Sequence, residues 1–376
     1  VGVAAEEPTK RLSGLQMAGS SNTMNIFLRT GTIISFVVES VLILIVVLVS
    51  TTLVLLLAGA PPLESYYQIL EGSLGSWAKI THVIKVWIPL TLCVCGLLYT
   101  FRIGLWNIGV EGQVMMGAIC TTYMLREGAE SPHNLLFLFI SLLAGIAGGG
   151  LWALLVGFLK TKGGVHEIFA GLGLNFVAQG LVLWLIFGPW KRPGIASMSG
   201  TETFADTLWL PQVESLRISP AGIAIALLAI IITSLMLRYT RIGLYLKAIG
   251  NNASAAYLFG LKPSRYMLLA MLFAGGFAGL AGGVQVGGVY HRLIPAISSN
   301  YGYLALLVVL LANFNVWISP LVAFFFACLN VGSIQLPMVL KLDSSLSGVI
   351  QGTFVLATLA LHALRVRMKK NGRERS

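Results

Sequence analysis

Asn107, Glu111 and Gln113, with Trp106 beside them, stand in the run Phe101-Arg102-Ile103-Gly104-Leu105-Trp106-Asn107-Ile108-Gly109-Val110-Glu111-Gly112-Gln113, between two apolar segments. A carboxylate and carboxamides can hydrogen-bond the hydroxyls and carbonyls of a polar solute, and an indole can stack on a flat ring. A carboxylate can also carry a proton. Asn175 and Gln285 are further amides inside apolar runs, as are Gln179 and Asn313. A plainer reading stands beside this one. Asn107 could cap the next helix, with Glu111 near its positive end, and each isolated amide could serve as an interhelical hydrogen bond.

Other chemistries find no residues to carry them. No Gly-x-x-x-x-Gly-Lys-Ser/Thr loop occurs, so ATP hydrolysis through a P-loop is not expected of this chain. His-Glu-x-x-His and Gly-x-Ser-x-Gly are absent too. His82, His133, His166, His291 and His362 are scattered near segment ends. Cys93, Cys95, Cys120 and Cys328 all lie in apolar stretches, where they read as small buried residues rather than a disulfide or metal set.

The elements that would position these groups are membrane helices. Of 376 residues, 56% are hydrophobic and only 10% charged, against roughly 25% charged in soluble domains. The fold class expected is an all-α polytopic membrane protein with about ten transmembrane helices, some short or discontinuous. The expected spans are 36–58, 83–101, 110–125, 134–159, 167–188, 220–237, 266–289, 302–312, 316–335 and 345–364. The spans on either side of the polar run read as compromised. The first carries Lys85 and Pro89, and the second is short and opens with Glu111 and Gln113. Discontinuous helices whose ends meet within the membrane are a common way to build a solute site.

An even number of crossings puts both termini on one side. With the termini inside, 17 of the 25 basic residues fall on inner segments, which places the termini in the cytoplasm. The net charge of +11 then belongs to topology and anionic lipid, not to nucleic acid. The division expected is a cytoplasmic segment 1–32, a transmembrane domain 33–365 and a basic tail 366–376. Within the domain lie a long outer loop, 189–219, and a basic inner loop, 238–265. The outer loop carries Trp190 and Trp209 and reads equally as an anchored interfacial loop or as a docking surface. The inner loop contains the small-residue stretch Asn251-Asn252-Ala253-Ser254-Ala255-Ala256, suited to seat in a groove on a cytoplasmic partner. Gly275, Gly279 and Gly283 share a helix face, as do Gly145 and Gly149, a pattern that lets helices approach closely.

The run Gly104 to Gln113 resembles a signature of permease subunits of ABC importers, in the nucleoside and simple-sugar branch of the branched-chain amino acid, ribose and nucleoside permease family. A second stretch, Thr240-Arg241-Ile242-Gly243-Leu244 with Lys247, Gly250, Asn251, Asn252, Ala255, Ala256 and Gly260, is similar to that family's cytoplasmic coupling segment. It departs from the family at Asn251, where an acid is frequent, and at Ala253, where proline is common. Weaker matches are Glu167 with Asn175, and Asn300-Tyr301-Gly302-Tyr303.

The resemblance implies a subunit of the bacterial inner membrane that lines a pathway by alternating access and binds no cofactor itself. ATP would be used by partner ATPase subunits. A second permease subunit, the same or a paralogue, and an external substrate-binding protein complete the assembly. Trp106, Asn107, Glu111, Gln113, Asn175 and Gln285 would belong to the substrate pathway. The alternative, from another class, is a secondary transporter coupled to protons through Glu111.

Overall fold

The structure, a computed structural model, describes residues 45–360 except 47, 130, 193, 195–199, 214–217, 342–345, 347, 351, 354–355 and 358–359. The expected segments 1–32 and 366–376 lie outside the described residues, as do residues 361–364 of the last expected span. Two compact units divide the chain. The first holds residues 1–62 and 348–376; its longest described apolar helix is α1, Leu48–Leu57. The second, Leu63–Ser347, contains every residue of the site.

Helices α2 (Pro62–Leu74), α3 (Trp77–Arg102), α4 (Val110–Glu127), α5 (Asn134–Thr161) and α6 (Glu167–Phe187) come first. After the loop come α7 (Pro220–Tyr239), α8 (Arg241–Asn251), α9 (Ala253–Leu258) and α10 (Pro263–Val284). The last are α11 (Tyr301–Leu311), α12 (Ser319–Ser333) and α13 (Gln335–Leu340). Among the described residues there is no strand, only an isolated bridge between Val213 and Ile218. Six helical stretches among them are long and apolar enough to cross a membrane: α3, α5, α6, α7, Pro263–Tyr290 and Ser319–Leu340. The chain is therefore a polytopic helical membrane protein.

Two sequence expectations need correction. Lys85 and Pro89 do not break the span that carries them, because α3 runs unbroken for 26 residues through the proline. Its residues from Ile88 to Thr100 are buried, and packing on all sides holds a helix that propensity alone would kink. The second correction is α2, an amphipathic helix absent from the expected spans. Lys79 reaches back from α3 to its Glu71 at 3.2 Å.

Helix α10 is the axis of the packing, pressed against α3, α4 and α5. A Cβ on Gly279 would overlap the Gly145 carbonyl, one on Gly275 the Gly149 carbonyl, and one on Gly117 the backbone of Gly279. The spacing of small residues read from the sequence thus brings three backbones together, with carbonyl oxygens and Cα atoms in direct contact. Past Val284 the helix continues as a π-helical turn, Gln285–Tyr290.

The loop between α6 and α7 is stitched to that turn and to the residues just beyond it. Leu210 N–H donates to the Gly287 carbonyl, Phe204 to His291 and Thr201 to Leu293, each at 2.9 Å. Trp209 stacks on His291 with ring centroids 3.7 Å apart, and Arg126 lies over the Trp190 ring at 5.5 Å. Both tryptophans therefore have partners within the chain.

Candidate functional site

The polar run turns the chain from α3 into α4 and is held by short backbone bonds, Leu105 N–H to the Thr100 carbonyl at 2.8 Å among them. Gly104 supplies the one left-handed residue of the turn, with φ +84°. Asn107 is not a helix cap. Gly109 occupies that position, with no side-chain bond. The Asn107 side chain instead pairs with that of Gln113: Nδ2 donates to Oε1 at 3.0 Å and Gln113 Nε2 donates to Oδ1 at 2.9 Å. Both residues have no exposed surface. Two amides that answer each other's donor and acceptor in this way are stable in an apolar interior, where either alone would be costly.

Asn175, from α6, clamps the start of α4. Its Oδ1 accepts from Gly112 N–H at 2.9 Å, and its Nδ2 donates to the Ile108 carbonyl at 3.0 Å and to the Tyr303 hydroxyl at 3.2 Å. Asn175 lies eight residues into α6, roughly 12 Å along the helix axis from its end. Glu111 and Gln113 therefore sit well inside the helical layer and not at its rim. Spacing in the sequence does not reveal this depth.

Glu111 serves a different helix from the one expected. Its Oε1 accepts from Tyr303 N–H at 3.1 Å, in the first turn of α11. That helix has only 11 residues, begins after a left-handed Asn300 and has no cap of its own. Its first N–H groups would be orphaned in the interior, and a carboxylate at the positive end of the helix answers them. We therefore expect Glu111→Ala to lower stability by about 1–3 kcal/mol, the cost of a buried unsatisfied donor. Glu111→Gln should keep most of it, because an amide oxygen still accepts. Thermal melting of both variants in detergent checks the order. Loss of uptake by a well-folded Glu111→Gln would restore a proton-carrying role to the carboxyl.

Gln285 is fully buried at the start of the π turn, where Nε2 reaches the Ile297 carbonyl at 3.5 Å, and the Tyr301 side chain faces it. Glu111, Asn175 and Gln285 thus gather around the buried start of α11, while Asn107 and Gln113 pair with each other on either side of Glu111 in the chain. Trp106 does not join them. It is 44% exposed and meets Phe101 edge-on, with centroids 5.3 Å apart.

Sequence reasoning missed a neighbouring pocket of about 540 Å³, with Tyr301 in its wall. Lys79, His82 and Lys85 of α3, Tyr290, Asn330 and Gln335 also line it. It offers cationic, hydroxyl and amide groups together. Lys85, two turns into an apolar helix, was the available signal. Among the described residues no group of three or more possible metal ligands occurs.

The residues between α7 and α10 form an arm. Thr240 caps α8 and Asn252 caps α9, each accepting from the N–H three residues on, at 3.3 Å and 3.0 Å. Gly243 lies against the carbonyls of Met236 and Leu237 at the end of α7. Gly250 lies against the Arg102 carbonyl at the end of α3, so closely that a Cβ would overlap it. Lys247 lies on α8 between them, and Ala256 is buried beneath α9. Ala255, which takes the Asn252 cap, is partly exposed, and Gly260 comes after α9 with φ +83°. Tyr257, Leu258 and Phe259 are 67%, 85% and 88% exposed.

The chain is similar to a glucose ABC transporter permease protein, TsgB13, of Haloferax volcanii, at 29% identity over 78% of this chain and 80% of the relative. It is similar to a guanosine ABC transporter permease protein, NupP, of Bacillus subtilis, at 25% identity over 84% and 92%. A nucleoside ABC transporter permease protein, NupB, of Lactococcus lactis matches at 24% over 68% and 72%. A family model described as the branched-chain amino acid transport system / permease component matches residues 80–359, a stretch that takes in the polar run, the arm and α11. The chain belongs to that permease family.

Proposed function

We propose that this chain is the membrane-spanning permease subunit of an ATP-binding-cassette importer carrying nucleosides or simple sugars across a bacterial cytoplasmic membrane. In this reading about ten helices cross the bilayer, both termini are cytoplasmic, and α9 is seated in a groove of a partner ATPase. A second permease subunit, identical or paralogous, and an external binding protein complete the complex.

The observation that carries the reading is the arm. Its apolar end, Tyr257 to Phe259, is exposed, while the last turn of α8, just before α9, rests by backbone contact on the end of α3, next to the polar run. A partner that changes shape with ATP can thereby bias which way the permease opens, since each conformation of the partner favours one conformation of the chain. The pocket beside Tyr301 supports a polar, oxygen-rich solute. Its lysine, tyrosine and amide groups can hydrogen-bond ribose or hexose hydroxyls and base carbonyls. Glu111 and the amide cluster would act as positioning residues for the start of α11, which forms part of that pocket's wall.

The test is to purify the chain from mild detergent, identify co-purifying proteins, and measure uptake in proteoliposomes supplied with the binding protein. The expected result is a co-purifying P-loop ATPase, with uptake of a nucleoside or monosaccharide that requires ATP. Uptake driven by a proton gradient without any ATPase would overturn it.

A further inference from the structure

On the flank of the arm a groove of about 950 Å³ opens between the end of α5, helix α9 and the start of α10. Lys162, Lys262 and Arg265 line it, all exposed or partly so, and none forms an ion pair among the described residues. Lys262 stands at the N-cap of α10, a 22-residue helix with no side-chain cap, so the helix's positive end adds to the same field. Ser254 and Tyr257 of α9 complete the wall with hydroxyls. The surroundings are cationic and rich in donors, and suit a phosphate.

A second groove, of about 550 Å³, meets the first at Leu268, which lines both. It lies between α4 and α5, against Met116, Leu151, Leu155 and Phe158. Leu151, Leu155 and Phe158 are about half exposed or more. From Gly148 to Phe158 the groove runs along α5 for ten residues, roughly 15 Å at 1.5 Å per residue. That is one leaflet of a hydrocarbon core roughly 30 Å thick. An apolar slot one leaflet long, ending at a cluster of cations, has the dimensions and polarity of a phospholipid.

We propose that an anionic phospholipid occupies the joined grooves, with its phosphate among Lys162, Lys262 and Arg265 and an acyl chain laid between α4 and α5. Basic pockets between membrane helices are recognised sites for such head groups. The bound lipid touches α5, α9 and α10 at once and steadies α9 against the membrane surface. Ala255, Phe259 and the Asn251–Asn252 turn, which do not line the groove, are left for a protein partner. The inference rests on the chain's lying in a bilayer and not on the identity of its substrate.

Native mass spectrometry of the full chain, with whatever subunits accompany it, tests the proposal in detergent containing phosphatidylglycerol or phosphatidylcholine. The expected result is retention of phosphatidylglycerol over phosphatidylcholine. The combined Lys162→Gln, Lys262→Gln and Arg265→Gln variant should reduce phosphatidylglycerol to the phosphatidylcholine level. Leu151→Trp, which fills the slot, should also release it, whereas Leu228→Trp on the exposed face of α7 should not. Equal retention of the two lipids, or unchanged retention by the glutamine variant, would overturn the proposal. Displacement by inorganic phosphate alone would show a free-anion site and overturn it equally.

Discussion

Ala255→Arg is expected to reduce uptake to the level of cells lacking the transporter, while the protein still inserts into the membrane and elutes as the wild type does. Ala255 lies on a six-residue helix whose N–H groups are answered by Asn252, and its methyl group is partly exposed between buried Ala256 and solvent. An arginine there places a long cationic chain on the surface proposed to enter the ATPase groove. Uptake assays and co-purification of the ATPase read the effect together. Normal uptake by this variant would remove α9 from the coupling path, because a docking surface of this size does not absorb so large a side chain unnoticed.

Gly279→Leu should prevent folding altogether. A Cβ at that position overlaps the Gly145 carbonyl and crowds the Cα of Gly149 at 3.0 Å, while the backbone of Gly279 is itself the wall against which Gly117 packs. Overpacking a core costs typically about 1–3 kcal/mol when side chains can yield, and here the opposing atoms are backbone. Gly276→Ala, three residues earlier on the same helix, is the matched control. Its Cβ would meet only the tip of Ile146, at 3.4 Å, and the variant should melt within a few degrees of wild type. Fluorescence-detected size exclusion after heating separates the two. Wild-type stability for Gly279→Leu would mean that α10 does not hold three helices at one point.

Much of the scaffold could be read directly from the chain. Runs such as Asn134–Thr161 and Pro220–Tyr239 are too apolar and too long for anything but a membrane-embedded helix, and the four-residue glycine spacing marked the tight faces on α5 and α10. Helix α2 escaped because it is amphipathic and mixed in composition, and Pro89 misled because local propensity yields to burial on every side. At the site, residue types were legible but partners were not. Nothing near Glu111 in sequence announces that its oxygen serves Tyr303, 192 residues away. Likewise, Asn107 looked like a cap because spacing cannot show that Gln113 answers it first. Depth, which decides between a rim cap and an interior cluster, emerges only once Asn175 is seen gripping Gly112 from another helix.

Helix α8 has a mechanical consequence. It is a rod of 11 residues, roughly 16 Å long, and it is seated at Gly243 against the end of α7 and at Gly250 against the end of α3. In both places backbone meets backbone, with no side chain between them. A rotamer can flip and absorb a displacement, as slack in a gear train absorbs the first part of a turn. Neither seat has such slack, so a displacement of α8 would reach the ends of α7 and α3 together, as through one stiff linkage.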